Sequence, residues 1–112
     1  MDQHALPELA EQQLTQARNA SNGRSTTALY GGRGRVLGQV LIALTAGAQL
    51  AEHDNPGEAT AHVLHGRARL VAGDSTQEGA TGDLLIVPQE RHSLDAVEDT
   101  VVLLTIAKHT SQ

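Results

Sequence analysis

Cysteine is absent from this 112-residue chain, so no disulfide framework, zinc–thiolate site or cysteine nucleophile is available to it. Aromatic residues are nearly absent as well: Tyr30 is the one ring, with no Phe and no Trp. The core must then be built from Leu, Val, Ile and Ala, and no pocket can grip a ligand by stacking it on several rings. Lysine occurs once, as Lys108, and 13 acidic residues outnumber 8 basic ones, for a net charge of −5 with His neutral. Phosphate backbones and anionic surfaces reward clustered Lys and Arg, so neither nucleic acid nor a membrane is expected as a partner. Long apolar runs are missing too. The strongest, residues 40–44 and 101–107, are far too short to span a bilayer. The first ten residues carry Asp2 and Glu8 and no apolar stretch, which predicts no signal peptide and makes the cytoplasm the expected location.

What is present suits one domain. The length fits a single core, and 39% hydrophobic residues place the chain among globular proteins rather than disordered ones. Residues 6–20 read as a helix: Pro7 fits its first turn, and Leu6, Leu9, Ala10, Leu14 and Ala17 form an apolar stripe. The helix is expected to pack on the rest of the domain or to cross to a second subunit. Residues 19–24, with Gly23, end it, so 1–25 is expected as helix and linker and 26–108 as an all-β domain.

From Thr26 the pattern is of short strands between glycine-rich turns. Strands are predicted at 26–30, 35–45, 50–53, 59–65, 67–71, 83–87, 92–96 and 100–107. In the second, Val36, Val40, Ile42 and Leu44 fall on alternating positions. Turns are predicted at Gly31 to Gly34, at Gly47, over 54–57, at Gly73-Asp74 and at Glu98-Asp99, and Pro88 stops a strand. Gly66, between two strand segments, reads as a hairpin turn. The final run, 100–107, is apolar on both faces, so it is either central or covered by another subunit. Close-spaced strands of this kind favour a barrel or sandwich over an α/β fold.

Two segments concentrate chemistry. One runs from His53 through Asn55, Pro56, Glu58, Ala59, His62 and His65 to Gly66, and the other from Gly82-Asp83 through Pro88 to His92. Together they resemble the paired motifs of the cupins. The first family motif runs His, one residue, His, a short loop, Glu, six residues, Gly; the second runs Gly, five residues, Pro and then His. His53 and Gly66 stand at the first motif's spacing, Pro56, Val63 and Leu64 fall where the family favours them, and Gly82, Asp83 and Pro88 match the second. The resemblance covers about residues 36–106. It implies an all-β double-stranded β-helix, or jelly-roll, barrel with a short N-terminal helix, and a site at the barrel mouth.

In metal-binding cupins the two His and the Glu of the first motif and the His of the second converge on a divalent ion, as N and O donors from different strands should. This chain matches that set at His53 and His92. Asn55 stands at the second His position and Ala59 at the Glu position, and the 88–92 loop is one residue shorter than the family pattern. Glu58 and Asn55 are conceivable substitutes, but Glu58 faces outward unless a bulge shifts the register, a shift that would also turn His62 inward. The expected pocket is thus His53, Asn55 and His92 above an aliphatic floor, with either no cofactor or a weakly bound divalent transition metal on His53 and His92. For those two histidines, hydrogen-bonded burial is the plain structural alternative.

Other features read as structural. His62, His65, Arg67 and Arg69 fit a solvated strand face, and Ser93 beside His92 faces away from it, so the two make no nucleophile–base pair. The glycine cluster at 31–34 precedes no helix and makes no phosphate cradle. Three functions stay open: a small-molecule-binding module with an incomplete metal site, a metal-dependent enzyme of the dioxygenase or isomerase type using His53 and His92, and a metal-free acid–base enzyme. A homodimer is expected from the doubly apolar last strand and from the resemblance.

Overall fold

The computed structural model describes residues 1–53 and 57–108, and for Glu52 and His53 the backbone alone. One helix, α1 (Leu6–Asn19), precedes nine strands: β1 (Arg24–Tyr30), β2 (Leu37–Leu44), β3 (Gln49–His53), β4 (Gly57–His65), β5 (Arg67–Ala72), β6 (Ser75–Ala80), β7 (Leu84–Val87), β8 (His92–Ala96) and β9 (Thr100–Lys108). They form two antiparallel sheets, a five-stranded one ordered β1-β2-β9-β4-β7 and a four-stranded one ordered β3-β8-β5-β6. No helix among the described residues is long and apolar enough to cross a membrane.

Period-two alternation sorts the side chains. In β2, Ile42 and Leu44 face the space between the sheets, where they meet Ala61 and Val63 of β4, Leu70 of β5, Leu85 of β7, Leu94 of β8 and Val102 of β9. Leu41 and Ala43 point the other way, beneath α1, and with Val101, Leu14 and Ala17 they make a second cluster. The doubly apolar character of β9 has its cause here: the strand is central in its sheet, and α1 covers the outer face at its start. Burying Leu14 contributes roughly 2 kcal/mol to holding the helix down. At the N-cap, Ala5, no side chain caps the helix and Pro7 fills the first turn, while at the C-terminal end the Ala20 amide donates to the Ala17 carbonyl.

Two predicted features come out differently. Gly66 does not turn a hairpin. It lies between β4 of one sheet and β5 of the other, where a single residue carries the chain from sheet to sheet. Its φ is +93°, and a Cβ there would stand 2.2 Å from the carbonyl oxygen of Asp99. The buried Thr100 hydroxyl secures the same crossing: it accepts from the Arg67 amide at 3.1 Å and has carbonyl acceptors at Glu98 and Arg67. The second difference is β6, which has no counterpart among the predicted strands. Its sequence, STQEGA, is polar because it is a sheet edge with four exposed residues in a row, and it carries no apolar alternation to detect.

Asp99 ties three pieces together. One carboxylate oxygen accepts the Ala46 amide at 2.9 Å, and the other takes both Nε and Nη2 of Arg18 at 3.0 Å. The Ala46 hydrogen bond and then the Arg18 guanidinium hold its carboxyl below the usual carboxylate range.

Candidate functional site

Strand directions bring one set of ends together. β4 begins and β9 ends side by side at Gly57 and Lys108, β3 ends where β8 begins, and β7 ends at Val87 just before the 88–91 connection to His92. This end is the barrel mouth. The 31–36 connection borders it, with the Lys108 amide donating to the Val36 carbonyl at 2.9 Å.

His92 opens β8 and is 5% exposed. Its Nδ1 lies 2.9 Å from the Glu90 carbonyl oxygen. A carbonyl can only accept, so Nδ1 carries the proton in that bond, and in the neutral ring Nε2 then bears the lone pair. A histidine whose outer nitrogen is pinned to a backbone carbonyl is oriented for its other nitrogen to accept a proton, a hydrogen bond or a metal.

His53 stands opposite His92 in the β3–β8 ladder through an irregularity. Leu50 pairs with Leu94, but the next pair is His53 with His92, so β3 spends one residue more than β8 over that step. Without this bulge, Glu52 would stand opposite His92. Asn55 lies outside the described residues.

The other sequence candidates do not gather around His92. Glu58 is exposed on the outer face of β4, opposite Ala107 of β9. The register shift that could have turned it inward is absent there; the β4 irregularity lies between Val63 and His65. Glu58 is therefore no substitute ligand. Nor is His62, which pairs with Leu103 and Leu84 on the same outer face, while His65 is exposed. Ala59, at the position of the family's Glu, is buried in the inter-sheet core. Its methyl offers no donor, and among the described residues no group of three or more His, Asp or Glu side chains comes together to hold a metal. The full four-donor centre does not fit this chain.

Beneath His92 the wall is aliphatic: Ile42, Leu50, Ala61, Leu70, Val87, Leu94 and Leu104. The cavity they leave is about 20 Å³, room for roughly one water molecule. An aliphatic floor was legible in the sequence, whereas the Glu90 carbonyl partner was not, because backbone geometry in a short loop leaves no residue-type signal.

No protein-family model matches the sequence, and no curated protein matches it significantly. Solved structures do. An RmlC-like cupin protein from Desulfovibrio desulfuricans shares 26% identity over 96% of each chain, with a TM-score of 0.72. A conserved protein of unknown function from Streptococcus pyogenes shares 26% identity, covering 82% of this chain and 80% of that one, with a TM-score of 0.73. A cupin superfamily protein from Desulfitobacterium hafniense has a TM-score of 0.73 at 19% identity, over 80% of this chain and 82% of its own. With two antiparallel sheets closed over an aliphatic core and these neighbours, the chain is a small cupin-fold barrel of the jelly-roll type.

Proposed function

We propose that this protein binds a small ligand at the barrel mouth, with His92 as its polar anchor and His53 and Asn55 as the accompanying polar groups. The observation that carries the reading is the state of His92: buried, aimed at an aliphatic wall, and fixed through Nδ1 so that Nε2 is the accepting atom. The narrow interior favours a ligand seated in the mouth, with no more than a small apolar part reaching inward. Two imidazoles without a carboxylate make a weak transition-metal site, so any divalent ion is held loosely.

The test is elemental analysis of untagged protein, paired with calorimetric titration of Co²⁺ or Ni²⁺ into the wild type and the His53→Ala and His92→Ala variants. The reading expects substoichiometric metal as purified and weak titrations that both variants abolish while keeping their far-ultraviolet spectra. A near-stoichiometric transition metal, lost in both variants, would replace it with the metal-dependent enzyme. That second reading draws on one observation, the register that sets His53 opposite His92.

A further inference from the structure

β1 is an edge of the five-stranded sheet, with β2 on one side and, among the described residues, no strand on the other. The Thr45 amide donates to the Gly23 carbonyl at 2.9 Å, and these two residues continue the register that pairs Arg24 with Leu44. In an antiparallel ladder every second residue turns its amide and carbonyl toward the neighbouring strand. From Gly23 onward, Ser25 and Thr27 therefore point theirs at β2, while Arg24, Thr26 and Ala28 point theirs at the open side. The Arg24 amide bears this out, donating to the side-chain oxygen of Asn22 at 3.1 Å. Thr26 and Ala28 are exposed, and among the described residues no bond takes their outward amides and carbonyls. Open edges are usually guarded by charge or proline. β6, an edge of the other sheet, carries Glu78 in mid-strand, whereas β1 has no proline and its only charge is at its first residue.

We propose that the β1 edge takes an extended acidic segment of another protein as a sixth strand. Charge selects the occupant. Between Glu11 and Glu52 the sequence holds Arg18, Arg24, Arg33 and Arg35 and not one Asp or Glu, in a chain whose net charge is −5. Arg24 opens β1, its Nη1 donating to the Gln49 carbonyl at 3.3 Å. Arg35 marks the other end: its Nη1 donates to the Tyr30 hydroxyl at 2.9 Å, and its guanidinium lies 4.9 Å from the ring centroid. Arg33 is exposed in the same connection. The edge thus has cations at both ends and free backbone groups between them.

The carboxylates of the neighbouring elements stand off this edge. Glu8 and Glu11 line the flank of α1 beside Leu64 and His65, whereas the side chains that meet Ser25 of β1 are the neutral Gln13 and Gln16. Glu58 shares a row with Ala107 and Leu37, which puts it three strands from β1, about 14 Å away and beyond a Debye length at physiological salt. Asp95 is reached from Arg24 only through Gln49 and belongs to β8 of the other sheet. An added strand would satisfy the amides and carbonyls of Thr26 and Ala28, and carboxylates near its two ends would meet Arg24 and the Arg33–Arg35 connection. A segment with basic ends would be repelled at the same places.

The experiment is fluorescence anisotropy at low salt with a labelled seven-residue peptide of alternating threonine and valine that has a glutamate at each end. Two control peptides carry lysine at both ends, or N-methyl groups throughout the interior. The protein variants are Thr26→Pro, which removes an outward amide at an edge where proline is tolerated, Arg33→Glu, and Arg67→Gln, an exposed position on β5 of the other sheet. Circular dichroism checks that each is folded. The glutamate peptide is expected to bind wild type and Arg67→Gln alike, at least about tenfold more weakly to Thr26→Pro, and at least about threefold more weakly to Arg33→Glu. The control peptides are expected not to bind up to about 1 mM. No binding of the glutamate peptide to wild type in that range would overturn the proposal. So would binding that survives both Thr26→Pro and N-methylation, which would reduce it to charge adhesion without strand pairing. Sedimentation of the free protein covers the remaining occupant: a dimer that Thr26→Pro dissociates would give the edge to a second copy and overturn the proposal as well.

Discussion

At Gly66 one residue does what a loop of several does elsewhere in the chain. Any side chain there meets the Asp99 carbonyl and the Thr100 hydroxyl as well as an unfavourable φ. Gly66→Ala is expected to cost about 3 kcal/mol or more, since the strain of a positive φ adds to a backbone clash; urea unfolding would measure it. The opposite kind of change is informative at Ala59. Ala59→Glu returns a carboxylate to the position where the resemblance expects one, facing the same interior as His92. It is expected to tighten Co²⁺ or Ni²⁺ binding at least about tenfold, because a third donor joins two imidazoles, and to lower the stability of the metal-free protein through the buried charge. Calorimetry with and without metal separates the two effects. Unchanged metal affinity would mean that position 59 and the histidines do not converge. Both positions show what the sequence reveals: the cupin resemblance marked Ala59 as standing where the family has a donor, and Gly66 was legible as a special backbone position, but not which special job it performs.

At the scale of elements, the helix is held by its apolar stripe and by the Arg18–Asp99–Ala46 junction. Leu14→Ala is expected to cost about 2 to 3 kcal/mol, at the lower end for a buried Leu because one side of the helix borders an open groove. Asp99 adds a pH dependence whose sign follows from its lowered carboxyl. A carboxylate stabilised in the folded state contributes above its unfolded pKa of about 3.9 and loses that contribution as pH falls through the folded value. Asp99→Asn should therefore unfold at lower urea than wild type at pH 7, by about 1 kcal/mol given its partial exposure. The two curves should converge as the pH drops below about 4 and Asp99 itself becomes neutral. A gap that persists undiminished at pH 2 would assign the effect to shape rather than charge.

For the whole molecule, the two-sheet barrel explains why its chemistry gathers at one end. Antiparallel strands return their ends to the same two rims, and the rim holding His92 also receives the end of β3 and the start of β4. Closing the sheets over Leu, Val, Ile and Ala leaves an interior nearly filled, with space for roughly one water. Leu70→Ala, which enlarges that space from β5, the strand beside His92's own, is expected to destabilise the protein by about 2 to 5 kcal/mol while admitting a longer apolar group beside His92. Binding of a short aliphatic alcohol series, whose hydroxyl can donate to Nε2 of His92, to wild type and variant, followed by calorimetry, would show the preferred chain length rise in the variant.

The all-β class, the N-terminal helix, most strand positions and the cupin-like motif spacing were readable from the amino-acid order, because alternation, turn glycines and prolines are local signals that the folded state preserves. Through that resemblance, Ala59 was seen to stand where the family has a ligand. Only the tertiary structure decided that Gly66 crosses between sheets, that polar β6 completes an edge, that α1 accounts for the outer apolar face at the start of β9, and that a bulge sets His53, rather than Glu52, opposite His92. Each of those depends on which distant strand supplies the hydrogen-bonding partner. Pairing across the sheets is a property of the closed barrel, and no window of neighbouring residues contains it.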